Sequence, residues 1–313
     1  VGDAKASQRN HRAAGRRASR RRRGLERVAL VVERAAEDAR VVAVAVADAE
    51  ATARARRRDA AVSHRRRDDA RFFASDSAAS RRRARGMTRG AERFNIAVSA
   101  TAAQRNKAHV ARVVDAFVRS SSAGREKKFE LLELGCGVGA HAAEILRASG
   151  AACLKRYYPT DVCDHDGSFA AVMENCADAG ASGTCAAPRT MDATTMADVV
   201  EAESLDGVLM VNVVHISSRA ATLGMFAGSA KALRKGGLVF VYGPFKVGGE
   251  FRSEGDARFD ASLRLKDPEN FGLVDLEWMD EQARSVGLTP ASVDGMKSPV
   301  EMPANNLTLV YAK

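Results

Sequence analysis

From residue 129 to the end, short apolar runs alternate with longer amphipathic stretches, and this alternation restricts the fold more than any other feature of the chain. The strand-like runs are 129–134, 153–159, 186–190, 206–212, 238–243 and 306–312. The helix-like stretches between them are 139–149, 168–179, 194–202, 218–234 and 275–286. Strands separated by helices do not pair as hairpins; they lie parallel in one sheet, with the helices on both faces. A helical stripe of Val110, Val113, Val114 and Phe117 precedes the first run and breaks at 120–124. The expected fold class is α/β with a mainly parallel sheet, and ligands of such sheets bind beyond the carboxyl ends of the strands.

The first of those ends lies in "FELLELGCGVGAHAAEIL" (129–146). Gly135 and Gly137 allow a tight turn and close approach of a ligand, and Gly139 lets the next helix begin near the strand. Gly135, Gly137 and Ala140 also satisfy the relaxed dinucleotide pattern G-x-G-x-x-[GA]. Glu133 separates the two ligand classes, because an acid aimed at the mouth of the turn repels a pyrophosphate. It attracts a ligand with ammonium and sulfonium groups, by about 4 kcal/mol before desolvation for opposite charges a few Å apart at partial burial. S-adenosylmethionine carries both cations and no phosphate.

Asp161 ends the second run, where a carboxylate accepts ribose hydroxyls of either nucleotide, or else serves as a loop acid or helix cap. Asp192, in "RTMDATT", stands where an adenine amino group is read, and is equally a good N-cap for the helix that follows. Asn212 and His215 emerge after the fourth run. Asn212 is placed to touch cofactor or substrate, and His215 is a candidate proton acceptor, with packing or capping as its alternative. The segment 244–272 is too long for a simple connection and contains the helix-like "ARFDASLRLK"; it reads as a cover over the site or as a structural insertion. "QRNK" (104–107), ahead of the first core helix, offers Arg105 and Asn106 to the cofactor or an anionic substrate. Tyr242 is a candidate pocket wall, and "PANN" (303–306) makes a tight turn that brings Asn305 to the same end.

Charge divides the chain. Residues 1–90 hold 25 Lys/Arg against 11 Asp/Glu, a net of +14, and residues 91–313 hold 24 against 28, a net of −4. The first segment is Arg/Ala-rich and of low complexity, with clusters such as "RRASRRRRG" (16–24), and is expected to be disordered or partly helical. Three roles stay open for it: none, a targeting leader to mitochondrion or plastid, or a non-specific nucleic-acid anchor. The other 223 residues form the expected globular domain, 91–313. Five cysteines with no C-x-x-C pair argue against a disulfide framework or zinc site, so no metal is expected, and reduced thiols point to an intracellular, cytoplasmic protein. No apolar run reaches the ~18–20 residues of a membrane span.

Residues from about 95 to 313 resemble the methyltransferase-like protein 26 family, a group of class I S-adenosylmethionine-dependent methyltransferase-like proteins. The resemblance is carried by "AAQRNKAHV" (102–110), "LELGCGVGAHAA" (132–143), "VNVVHISS" (211–218), "GMFAGSAKALRKGGLVFVYGPF" (224–245), "FDASLRLKDPENFGLVDLE" (259–277) and "EMPANNLTLVY" (301–311). It implies a Rossmann-like class I methyltransferase fold, seven-stranded with an antiparallel last strand, and cofactor roles for Glu133, Gly135, Gly137, Asp161 and Asp192. The first 90 residues have no counterpart in it. The reading is a methyltransferase using S-adenosyl-L-methionine on a small-molecule acceptor, since the strand ends N-V-V-H where methylases of base or amide amino groups carry an N-P-P-Y motif. Two alternatives remain: a non-catalytic binding module on the same fold, and an RNA- or DNA-associated enzyme anchored by the basic arm.

Overall fold

The computed structural model describes residues 96–122, 128–293 and 295–313; the Arg/Ala-rich segment 1–90 lies outside the described residues. The chain opens with α1 (Ile96–Ser122), whose residues Val110, Val113, Val114, Phe117 and Val118 recur every three to four positions and are all buried. "QRNK" is part of this helix rather than ahead of it, which corrects the sequence expectation. There follow β1 (Phe129–Leu134), α2 (Ala140–Cys153), β2 (Leu154–Asp161), α3 (Ser168–Asp178), β3 (Arg189–Thr190), α4 (Met196–Val199) and β4 (Leu205–Val211). Next come α5 (Arg219–Ala232), β5 (Leu233–Lys246), α6 (Glu254–Arg264), β6 (Val274–Asp275) and α7 (Leu276–Ser285). Four two-residue strands, β7 (Thr289–Pro290), β8 (Ser292–Val293), β9 (Met296–Lys297) and β10 (Val300–Glu301), lead to β11 (Asn306–Ala312).

The main sheet runs β10-β11-β5-β4-β1-β2-β3, seven strands in a row, with β6 joined to β5 and β7 to β11; β8 and β9 pair separately. Strands β3, β2, β1, β4 and β5 are parallel neighbours, and β11 runs antiparallel to β5, as expected. The strand order reverses at β1, which is flanked by β2 and β4. Both faces are covered. Leu131, Leu209 and Phe240 pack with α1, α2 and α3 on one face, where Phe117 meets Phe240 edge-on at 6.0 Å. Leu132, Val208 and Val239 pack with α4, α5 and α7 on the other. Burial of each such side chain contributes about 1.5–3 kcal/mol. The expected run 186–190 shrinks to two strand residues, with Cys185 adding one bridge to Tyr157, and the expected 238–243 lengthens at both ends.

At the opposite, amino ends of the strands, four adjacent strands carry a charged residue at their second position. Arg234 of β5 donates to Asp206 of β4 (2.8 Å) and to Glu130 of β1 (3.0 Å), and Lys155 of β2 donates to Glu130 at 3.2 Å. Glu130 and Asp206 are buried, so the guanidinium and ammonium compensate carboxylates that would otherwise be costly to hold there.

Candidate functional site

Beyond β1 the chain bends sharply through Gly135, Cys136 and Gly137. Gly135 has φ +77°, and a Cβ there would lie 2.4 Å from Val213 Cγ2, so no other residue fits without displacement. A Cβ on Gly139 would meet the Val172 backbone at 2.8 Å, because α2 starts directly against α3. The amides of the bend are already engaged. Gly135 and Cys136 donate to the Thr160 carbonyl (2.8 and 2.9 Å), Gly139 donates to the Cys136 carbonyl (2.8 Å), and Gly137 donates to Asp161 Oδ2 (2.9 Å).

Glu133 does not face the open mouth of the turn, as the sequence reading has it. Position 133 shares a face of β1 with Phe129 and Leu131, and its side chain is wholly buried beneath the bend. The Tyr157 hydroxyl donates to Oε2 at 2.8 Å, while Oε1 has no partner and lies 4.0 Å from His141 Nδ1. Burial pushes the Glu133 carboxyl up to about 8, against a smaller opposing effect of the Tyr157 hydrogen bond, so the acid is mostly protonated at neutral pH. His141 is held down to about 4, first by burial and then by the charge of Lys107. It is therefore neutral, and its Nε2 lies 2.7 Å from Asn106 Oδ1, which assigns the proton to Nε2. Burial raises the pKa of Tyr242, with Asn106 as a smaller opposing influence. Two buried hydrogen-bonded pairs, Tyr157–Glu133 and His141–Asn106, thus lie side by side across β2, β1, α2 and α1, 4.0 Å apart at Glu133 Oε1 and His141 Nδ1. His141 and Tyr157 went unrecognised in the sequence, where each reads as an ordinary core position.

Asp161 ends β2 with Oδ2 on Gly137 N and Oδ1 accepting from Val162 N at 2.7 Å, and lone pairs remain on both oxygens. His165 Nε2 stands 3.4 Å from Oδ1, and bonding to Asp161 raises the His165 pKa. Asp192 takes the capping role, accepting from Thr194 N at 2.9 Å at the head of the short 3-10 turn 193–195.

At the end of β4, Asn212 adopts the left-handed region (φ +58°), and its amide donates to the Tyr242 carbonyl at 2.9 Å. Such backbone in a non-glycine residue collects at functional sites. His215 follows in a 3-10 turn, buried, its ring edge-on to Phe259 of α6 at 5.4 Å. Burial holds His215 down to about 4, so it is neutral. The strap 247–272 is tied over this end at three places. The Arg252 guanidinium donates to both Glu301 carboxylate oxygens (2.8 and 2.6 Å) and to the Asn305 carbonyl (2.9 Å). Gly248 and Gly249 amides donate to Glu277 and Asp275, and the Gly272 amide donates to the His215 carbonyl. Ala304 and Asn305 both have positive φ, as a tight turn requires. The geometry therefore brings Asn106, Tyr242, Asn212 and His215 to one end of the sheet, while Arg105 is exposed on α1.

Residues 97–313 match the profile of a family described as a protein of unknown function, DUF938. The chain belongs to that family. Among solved structures, the DUF938 chain is similar to the mitomycin 7-O-methyltransferase MmcR, with 12% identity, a TM-score of 0.50, and coverage of 66% of this chain and 54% of that one. It is also similar to an O-methyltransferase family 2 protein from Planctomyces limnophilus in complex with apigenin, with 15% identity, a TM-score of 0.50, and coverage of 65% and 61%. The chain spans less than two thirds of the length of either structure. At these identities the likeness establishes the fold, which is the Rossmann-like fold of class I methyltransferases. Among the described residues no helix is long and apolar enough to cross a membrane.

Proposed function

We propose that this protein is an S-adenosylmethionine-dependent methyltransferase acting on a small-molecule acceptor, related to the methyltransferase-like protein 26 family. The observation that carries the reading is the state of the glycine bend. Four of its amides, those of residues 135, 136, 137 and 139, already have acceptors within the chain, so they are not free to cradle a pyrophosphate. Asp161, which holds the Gly137 amide, keeps lone pairs on both oxygens, which suits the hydroxyls of a ribose. On this reading Asp161 serves the ribose hydroxyls and Asp192 and Asn212 the adenine and methionine flanks, while Glu133 supports the bend from beneath through the bond it accepts from Tyr157.

When bound, the cofactor supplies a methyl group on a sulfonium, already a good leaving group. The protein's task is then mainly orientation, which is worth roughly 7–11 kcal/mol when reacting atoms are held in line. His215, neutral and close to the end of β5, accepts the proton that an acceptor hydroxyl or amine releases as its oxygen or nitrogen gains the methyl group. The strap carrying Phe259 keeps water from that encounter.

Calorimetric titration with S-adenosylmethionine, S-adenosylhomocysteine and NAD tests the reading. The two adenosyl compounds are expected to bind and NAD to give no heat of binding. Saturable NAD binding without the adenosyl compounds would overturn it.

A further inference from the structure

Native proteins rarely leave buried polar atoms without a partner, and those that do are informative. Among the described residues six buried side-chain oxygens lack one, among them Glu133 Oε1, Ser217 Oγ, Asp256 Oδ2 and Thr308 Oγ1. Thr308 pairs with Tyr242 of β5, which is level with the last residue of β4, Val211, and Ser217 lies two residues beyond His215. Asp256 is the one that brings an acidic group to the strap. It lies in the first turn of α6, is 8% exposed, and shares the inward stripe of that helix with Asp260 and Leu263.

The neighbouring charges show what Asp256 lacks. Asp260, one turn on, is satisfied by Arg264 (2.7 Å) and by the Leu273 amide (2.7 Å). The other arginine of α6, Arg258, pairs with Glu254. Asp256 forms no ion pair among the described residues. Its stripe faces the segment that carries the Gly272 amide onto the His215 carbonyl, and Phe259, three residues along the helix, sets its ring against the His215 imidazole. A buried carboxylate without a counter-charge is costly unless a ligand supplies one. Phe259, 40% exposed, offers an apolar wall beside it.

We propose that Asp256 is the specificity residue of an acceptor site under the strap, and that it receives the protonated amine of a small acceptor with an apolar body. The inference rests on the methyltransferase reading for the word acceptor, while the amine site itself is tested separately.

The experiment uses three probes with one phenolic body: tyramine (ammonium), p-cresol (uncharged) and 4-hydroxyphenylacetate (carboxylate), each titrated onto the full chain saturated with S-adenosylhomocysteine. Tyramine is expected to bind at least about tenfold tighter than p-cresol, a gain typical of a charge-assisted hydrogen bond, and the acid not to bind. D256N is expected to abolish the tyramine advantage and leave S-adenosylhomocysteine affinity unchanged. Equal binding of the three probes, no binding of any, or an undiminished tyramine preference in D256N would each overturn the proposal. If S-adenosylhomocysteine itself fails to bind, the methyltransferase reading falls, and the same series on the free protein still decides whether Asp256 is an amine site.

Discussion

Replacing Glu133 with Gln should make the protein more stable, and increasingly so as the solution becomes alkaline. The side chain is wholly buried, and desolvation raises its pKa from 4.5 to about 8. A carboxyl raised in the folded state adds stability that is complete below its unfolded pKa and is lost as pH climbs through the folded value. Over the whole span from 4.5 to about 8 the loss amounts to roughly 5 kcal/mol. About 2 kcal/mol of this is gone by about pH 6, which leaves roughly 3 kcal/mol to be lost between about pH 6 and about pH 9. Gln still accepts from the Tyr157 hydroxyl but cannot ionise, so the variant escapes the loss. Urea unfolding of both proteins at the two pH values measures it, and every other titrating group cancels in the difference. The advantage of E133Q should grow by roughly 3 kcal/mol from the lower pH to the higher. A difference that does not change with pH would mean that Glu133 is ionised and compensated in the native state, and would refute the reasoning.

Asp161→Asn should weaken S-adenosylmethionine binding by about 1.5–3 kcal/mol, roughly ten- to a hundredfold, as read by calorimetry. His215→Ala should lower turnover by about 10²–10⁴-fold in a labelled-methyl assay while leaving S-adenosylhomocysteine affinity unchanged. Because His215 titrates near 4, its protonation should put no step in the wild-type rate profile between about pH 5.5 and about pH 8. Arg234→Met leaves Glu130 and Asp206 buried with less compensation; since the guanidinium side chain is 26% exposed, a loss near the lower end of the known range, about 3 kcal/mol, is expected in the urea midpoint.

The long elements were legible because their periodicity is a direct consequence of burial. Residues 129–134 and 306–312 are strands with the expected bounds, and the stripe from Val110 to Phe117 is the buried face of α1. The two-residue strands β6 to β10 were not legible, since two residues carry no period. Nor was the start of β5: Arg234 and Lys235 look like loop residues, and only the buried acids of two other strands explain the arginine. In the site, the glycine bend and Asp161 stand together as their spacing implied. The direction of Glu133 could not be read, because it depends on which face of β1 looks toward α2. Asp256 was hidden for a related reason, as its isolation shows only once Arg258 and Arg264 are seen to be taken by other acids.

The ion network at the amino ends of β2, β1, β4 and β5 gives the sheet a lengthwise asymmetry. One edge of the layer is riveted by charges that satisfy one another, and the other is left with oxygens that nothing in the described chain satisfies. Breathing of the sheet should therefore start at the unriveted rim and die away toward the rivets. Amides near Glu130 and Asp206 should be among the slowest to exchange with deuterium, and those flanking Asn212 among the fastest within the core, so that any adaptation to a guest is confined to the rim where the guest arrives.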